Sequence, residues 1–136
     1  MLAPMDATHD RIDLATDDSR SRLAKLLTNL FAKWNLNTTE QLNLLGLSPS
    51  SRALLAKYRR GGALSNSRDM MDRAGWLLSI HKALRLLFPR NEELRYSWVK
   101  RRNRDFDNFT PLEVMMREGI IGIAKVSRYL DMERGL

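Results

Sequence analysis

Apolar side chains recur along most of this 136-residue chain at the three- and four-residue steps that place them on one face of a helix. The pattern is clearest after residue 20, where six apolar positions predict an amphipathic helix: Leu23, Leu26, Leu27, Leu30, Phe31 and Trp34. A longer helix is predicted from Ser67 to Phe88 and ends before Pro89, because proline disfavours a helical conformation in the residue that precedes it. No alternating strand pattern of useful length occurs in the sequence. The pattern therefore predicts an all-α fold.

Turn and cap residues divide the region between these two helices into two shorter ones. Thr38 with Gln41 three residues later has capping-box spacing and predicts the start of the first, which stops at Gly46. Ser48, followed by proline, predicts the N-cap of the second, which runs to about Arg60. Two short helices joined by the tight turn GLS are typical of a helix-turn-helix.

The C-terminal part of the chain is predicted to hold three further helices. Asn91 can cap the first, and the polar loop KRRNRDFDNF follows it. Thr110 and Glu113, with proline between them at the first helical position, form a second capping box. Gly119 is predicted to end that helix after two turns, and a last apolar series runs to Leu130.

Composition narrows the function classes. The chain has no cysteine and only two histidines, so neither a disulfide framework nor a zinc or thiolate site is expected. One of the two, His81, lies on the apolar face of the long helix and is expected to be partly buried with its hydrogen bonds satisfied. No acid pair, glycine-rich phosphate loop or metal cluster indicates an active site, so the sequence predicts a non-enzymatic protein without a cofactor.

Apolar runs and the N-terminal composition bear on localisation. No apolar run approaches the roughly 18 residues that a membrane span needs, and the N-terminus is too acidic for a signal peptide. We therefore expect a cytoplasmic protein with no membrane partner. Residues 1–18 lack helical periodicity and are predicted to form a flexible acidic arm.

Positive charge is concentrated in the segment that contains the predicted helix-turn-helix. Residues 21–66 carry seven bases against one acid, and the whole chain has a net charge of +7. This excess favours a polyanionic partner, although a solvated basic face would have the same composition.

If the helical hairpin binds DNA, its second helix enters the major groove. Ser50, Ser51 and Arg52 then face the base edges, and Arg52 can make a bidentate contact to guanine. Three cations at the far end would contact phosphates: Lys57, Arg59 and Arg60. The alternative is a structural hairpin inside a bundle, and the residues leave both interpretations open.

The order of these signals resembles the Xre/MbcA/ParS antitoxin family of bacterial toxin–antitoxin systems, from near Leu23 to the C-terminus. The Xre-like half is matched by LLGLS at 44–48, YRRGG at 58–62 and SIHKALRLLFP at 79–89. The toxin-binding half is matched by LRYSWV at 94–99, Asn103, FTPLEVM at 109–115, Gly119 and VSRYLD at 126–131. The implied organisation is an arm at 1–18, a helix-turn-helix domain at 19–88 and a toxin-binding domain at 89–136.

The resemblance implies a partner and a mode of action. Such antitoxins of type II systems pair with RES-domain toxins that consume NAD, and their C-terminal domain and last residues cover the toxin's active site. Six residues of this chain are implied in toxin binding: Arg128, Tyr129, Glu133, Arg134, Gly135 and Leu136. Operator DNA is the second implied partner, through which the antitoxin would regulate its own operon.

A homodimer is expected because the first helix and the helix at 67–88 carry more apolar positions than one small core needs. Operators read by helix-turn-helix proteins are usually two-fold repeats, which match a two-fold dimer. The alternatives are a free-standing helix-turn-helix repressor without a toxin partner and a helical adaptor without a nucleic-acid role.

Overall fold

The computed structural model describes residues 16–136, and every regular element within that range is helical. In chain order the helices are α1 (Asp17–Lys33), α2 (Thr38–Leu44), α3 (Arg52–Arg59), α4 (Arg68–Leu87), α5 (Glu92–Ser97), α6 (Pro111–Glu118) and α7 (Ile120–Glu133). Short 3-10 turns at Trp98–Lys100 and Arg104–Phe106 connect α5 to α6. No strand occurs in the described residues, and the all-α prediction is confirmed.

The start of α1 overlaps the predicted acidic arm. The Thr16 side chain accepts a hydrogen bond from the Ser19 backbone N–H at 3.1 Å and caps the helix. Asp17 and Asp18 form the first turn, where carboxylates are favoured by the positive end of the helix dipole. Residues 16–18 of the predicted arm are therefore the start of a helix, and residues 1–15 lie outside the described residues.

The capping box predicted at Thr38 lies one residue earlier. Asn37 is the N-cap of α2: its Oδ1 accepts from the Glu40 N–H at 2.8 Å, and the Glu40 carboxylate accepts from the Asn37 N–H at 2.8 Å. Gln41 is buried instead and donates to the Leu36 carbonyl at 2.9 Å. The prediction that Gly46 follows the end of the helix is confirmed, with φ of +69°.

The start of α3 differs from the prediction as well. Ser48 does not cap a helix, because its hydroxyl lies 3.2 Å from the Ser50 N–H and its carbonyl accepts from the Ser51 N–H at 3.0 Å. These bonds close a local turn, which competes with helix formation for the same backbone groups. Consequently α3 begins at Arg52, and the connection between α2 and α3 is longer than the predicted tight turn.

One hydrophobic core runs through the described residues. Its largest fully buried side chains include Trp34 and Phe31 from α1, Tyr58 from α3 and Leu77 from α4. Helix α4 packs extensively against α7 and also contacts α1, so it links the two predicted halves of the chain. Leu26 is an exception to the predicted apolar face, since 55% of it is exposed. Among the helices at 16–136, none is long and apolar enough to cross a membrane.

Candidate functional site

Four cations of the predicted DNA-binding set lie on the solvent-facing side of α3, and we call them the α3 surface. They are the exposed side chains Arg52, Lys57, Arg59 and Arg60. At about 100° per residue these positions fall on one side of the helix, while Leu55 and Tyr58 on the other side are buried. Ser50 and Ser51 lie just before Arg52, so the six predicted residues follow one helix and the turn before it.

Hydrogen bonds to neighbouring elements fix the orientation of α3. The Tyr58 hydroxyl accepts from the Ser65 N–H at 3.2 Å, and the Lys25 ammonium of α1 donates to the Arg59 carbonyl at 3.2 Å. The Arg59 guanidinium donates to the Gln41 side chain at 3.2 Å. Arg59 therefore has a structural contact to α2 in addition to its exposed position.

Arg73 connects α4 to the end of α2. It donates to the Leu44 carbonyl at the end of α2 at 3.2 Å, and its ion pair with Asp69 spans 2.8 Å. A Cβ added at Gly46 would lie 2.7 Å from the Arg73 guanidinium carbon, so the glycine leaves the space that this side chain occupies. The four-residue spacing of Asp69 and Arg73 in the sequence is typical of an ion pair on a helix. The bond from Arg73 to the Leu44 carbonyl joins residues far apart in the sequence, and no sequence pattern predicts it.

The loop at 101–110 is closed by the backbone of Asn103. Its N–H donates to the Phe109 carbonyl at 3.1 Å, and its carbonyl accepts from the Asn108 N–H at 2.9 Å. The Asn103 side chain accepts from the Asp105 N–H at 2.9 Å. Asp107 and Asn108 both adopt positive φ, a conformation that Asn and Asp tolerate better than most residues. The Asn-bearing loop is therefore a defined turn.

Helix α6 begins at the predicted capping box, which is confirmed. The Thr110 hydroxyl accepts from the Glu113 N–H at 3.0 Å, and the Glu113 carboxylate accepts from the Thr110 N–H at 2.8 Å. The backbone bond from Thr110 lowers the pKa of Glu113, and Arg102 adds to this effect. Gly119 has φ of +65° and separates α6 from α7, as predicted.

Helices α6 and α7 approach closely at Gly122. A Cβ at this position would lie 2.5 Å from the Val114 carbonyl oxygen and 2.8 Å from the Glu118 Cβ. Only glycine leaves room for this approach. We call α6, α7 and the 101–110 loop together the C-terminal platform.

Tyr129 joins α7 to the loop. Its hydroxyl donates to the Asp105 carboxylate at 2.8 Å, and its ring lies 4.8 Å from that of Phe106 and 6.1 Å from that of Trp98. Burial, followed by hydrogen bonds to Asp105 and Glu133, raises the pKa of Tyr129 to about 12. The hydroxyl therefore remains a donor at neutral pH, and Tyr129 holds the platform together as well as lining its surface.

The remaining predicted toxin-binding residues lie at the end of α7. Arg128 is exposed, and its guanidinium carbon lies 5.8 Å from the Trp76 ring centre of α4. Glu133 is the last helical residue, and Arg134 pairs with Asp131 at 3.3 Å. The Leu136 N–H donates to the Asp131 carbonyl at 2.9 Å, so the last residues fold back on the helix end.

A groove on the outer face of α7 was not predicted. It encloses about 490 Å³ and is lined by Asp105, Phe106, Ile121, Lys125, Arg128, Tyr129 and Met132. We call it the α7 groove. Neither Ile121 nor Met132 belongs to the apolar series predicted for this helix, and 72% of Ile121 and 74% of Met132 are exposed. No cluster of three or more His, Cys, Asp or Glu residues that could hold a metal occurs between residues 16 and 136.

Comparison with known proteins places this helical chain in the antitoxin class. A sequence model of the antitoxin Xre/MbcA/ParS C-terminal toxin-binding domain matches residues 83–135. The uncharacterized protein y4oB of Sinorhizobium fredii is 37% identical over 103 residues, which cover 76% of this chain and 77% of that protein. The chain belongs to the Xre/MbcA/ParS antitoxin family, and the predicted family is confirmed.

The matched region extends from the end of α4 to the last residues of the chain, and it contains α5, α6 and α7. It includes the whole C-terminal platform, the α7 groove and five of the six predicted toxin-binding residues. Since the domain of this family binds a toxin, a cognate toxin is the partner that the match supports.

Proposed function

We propose that this protein is the antitoxin of a type II toxin–antitoxin system and neutralises a RES-domain toxin that consumes NAD. The match of the toxin-binding domain to residues 83–135 is the observation that carries this proposal. The C-terminal platform covers the toxin's active site, and the end of α7 blocks the access of NAD.

The short tail is suited to this role because it begins at a fixed place. Helix α7 continues to Glu133, so only the last three residues lie beyond it. A segment held in position loses little conformational entropy when it enters a cleft. Arg134 can exchange its ion pair with Asp131 for a charge-assisted bond in a pocket that accepts a charged dinucleotide.

Co-expression with the neighbouring toxin gene tests the proposal. Cells that carry a RES-type toxin from the adjacent open reading frame should lose NAD, and the full chain should restore it. A chain ending at Glu133 keeps all of α7 and should fold but fail to protect, and Arg134→Glu should protect less well than Arg134→Ala. Full protection by the shortened chain would exclude the blocking tail and leave surface coverage as the mode of inhibition. A gene without a toxin neighbour would favour the free-standing repressor.

DNA binding and autoregulation form the second part of the proposal. The α3 surface offers four exposed cations, with Arg52 at the N-terminal end of the helix, where side chains reach base edges in helix-turn-helix complexes. Retention of the protein on its own promoter fragment, alone and with toxin, tests this part. Absence of salt-dependent retention in both cases would reduce the α2–α3 pair to a structural hairpin.

We also propose a homodimer, because operators read by helix-turn-helix proteins are usually two-fold repeats and a two-fold dimer matches them. The two helices that the sequence indicated each leave one large leucine exposed: 55% of Leu26 on α1 and 52% of Leu86 on α4. Mass measurement in solution at micromolar concentration should give twice the chain mass. Leu26→Lys and Leu86→Lys, measured separately, should identify the helix involved, and a monomeric mass for the unaltered chain would contradict the dimer.

A further inference from the structure

We propose that the α7 groove is the docking site for a toxin segment with carboxylates at its centre and apolar side chains at its ends, an inference that rests on the proposed function. The groove lies within the matched toxin-binding domain, yet most of it is formed by residues other than the predicted tail. It would hold the toxin independently of the residues that block NAD.

The exposed face of α7 has a regular order of side chains. Ile121, Lys125, Arg128 and Met132 follow one another at steps of four, three and four residues, which aligns them on one side of the helix. The row spans about 16 Å at the rise of an α-helix. Two apolar ends therefore enclose two cations along a length that one short segment can cover.

The exposed apolar side chains on this face of α7 indicate a surface that a partner covers. Ile121 and Met132 are 72% and 74% exposed, and they border a groove that also contains Phe106 and Tyr129. Methionine and aromatic side chains are enriched at protein interfaces, and methionine adapts its shape to a partner. The groove thus accepts an apolar side chain.

The charges select an acidic partner. Lys125 lies 3.5 Å from the Glu118 carboxylate, and about half of each side chain is exposed to solvent, so Lys125 can exchange this ion pair for one with a partner. Arg128 stacks near Trp76, and no carboxylate among residues 16–136 lies within ion-pair distance of it. The one acid in the groove, Asp105, accepts from the Tyr129 hydroxyl. Carboxylates at the centre of the bound segment would therefore meet these two cations.

Binding of the full chain to the purified product of the adjacent toxin gene tests this inference. Lys125→Glu with Arg128→Glu, and separately Ile121→Asp with Met132→Asp, should each weaken binding at least tenfold. All four side chains are exposed, so unfolding temperatures should stay close to that of the unaltered chain. Lys82→Glu with Arg85→Glu has the same spacing on the exposed side of α4 and should bind normally, as should the conservative Ile121→Val.

The outcomes separate this inference from the proposed function. If the unaltered chain binds the toxin and the groove variants bind equally well, the α7 groove is not the docking site and the proposed function stands. If the unaltered chain does not bind that toxin at all, both fail. Added salt should weaken binding of the unaltered chain more than binding of a Lys125→Gln, Arg128→Gln variant, and equal salt dependence would contradict the acidic partner.

Discussion

The α3 surface and the α7 groove are both basic, but their surroundings differ. On α3 the cations Arg52, Lys57, Arg59 and Arg60 are accompanied by no large exposed apolar side chain. On α7 two cations lie between the exposed Ile121 and Met132, in a groove that Phe106 and Tyr129 also line. The first surface is a charged helix face and the second is a mixed apolar and charged groove.

This difference indicates two kinds of partner. Phosphate contacts require positive charge and hydrogen-bond donors, and they gain nothing from exposed isoleucine or methionine. A protein interface gains most from apolar and aromatic anchors, which the α7 groove contains and the α3 surface lacks. The same chain therefore has one surface suited to a polyanion and another suited to a protein.

The substitution expected to have the largest effect on stability is at Gly122, in the C-terminal platform. Gly122→Ala places a methyl group 2.5 Å from the Val114 carbonyl and should lower the free energy of unfolding by about 3 kcal/mol. Toxin binding should fall with it, since the C-terminal platform is displaced.

Gly75→Ala on α4 is the matched control for this substitution. An added Cβ there meets nothing within 4 Å, so stability should rise by about 0.5–1 kcal/mol. Urea denaturation of both variants provides the comparison. Equal stabilities would mean that α6 and α7 can separate without loss.

Arg52→Ala should have the next largest effect, on DNA alone. Loss of a bidentate base contact should weaken specific binding by about 2 kcal/mol and relax preference at one base pair. Arg60→Ala should instead weaken binding to all sequences alike and reduce the salt slope by about 1. Toxin binding should be unchanged in both. Competition on the promoter fragment measures the effects, and a loss that is equal for specific and random DNA in Arg52→Ala would remove its role in base recognition.

Local signals were the part of this fold that the sequence could predict. The Thr110–Glu113 capping box and the end of α2 at Gly46 depend on residues within a few positions of one another, and both were predicted correctly. The start of α3 was predicted wrongly because Ser48 can either cap a helix or close a turn with Ser50, and both use the same local residues.

Contacts between residues far apart in the chain could not be predicted from the sequence. Arg73 donates to the Leu44 carbonyl, 29 residues away in the sequence, and the Tyr129 hydroxyl donates to Asp105, which is 24 residues away. No sequence pattern predicts either bond. The α7 groove was missed for a related reason. Helical periodicity leaves Ile121 off the buried series of α7, but no local pattern places Asp105 and Phe106 of the distant loop beside it.

Helix caps give a smaller effect that distinguishes the two regions. Thr110→Ala removes a cap of α6 with both hydrogen bonds formed and should cost about 1 kcal/mol. Ser48→Ala removes a hydroxyl that caps no helix and should cost much less. Thermal unfolding of the pair measures the contrast. A larger loss for Ser48→Ala would indicate that α3 extends to Pro49 in solution.

The smallest effect is expected at His81 on α4. Its ring on α4 lies 6.1 Å from that of Tyr96 on α5, and the Lys33 ammonium of α1 lies 4.9 Å from the same Tyr96 ring. The position is partly buried as predicted, but Nδ1 has no hydrogen-bond partner in the described structure, contrary to expectation. Burial, then the positive charges of Arg85, Lys33 and Arg95, lowers the pKa of His81 below its ordinary value of 6.5.

The sign of the pH effect follows from this shift. As pH falls through 6.5 the unfolded chain binds a proton at His81 while the folded chain resists it, so the folded state loses stability until its own lowered pKa is reached. Glu113 acts in a separate window: its lowered pKa stabilises the folded state above 4.5, and that contribution is lost only at more acidic pH. Urea midpoints of the unaltered chain should therefore decline from pH 7 to pH 5, and those of His81→Phe, which keeps an aromatic ring against Tyr96, should decline less. Parallel curves for the two proteins would show that His81 is equally easy to protonate in the folded and unfolded states, and that the junction between α1, α4 and α5 does not respond to pH.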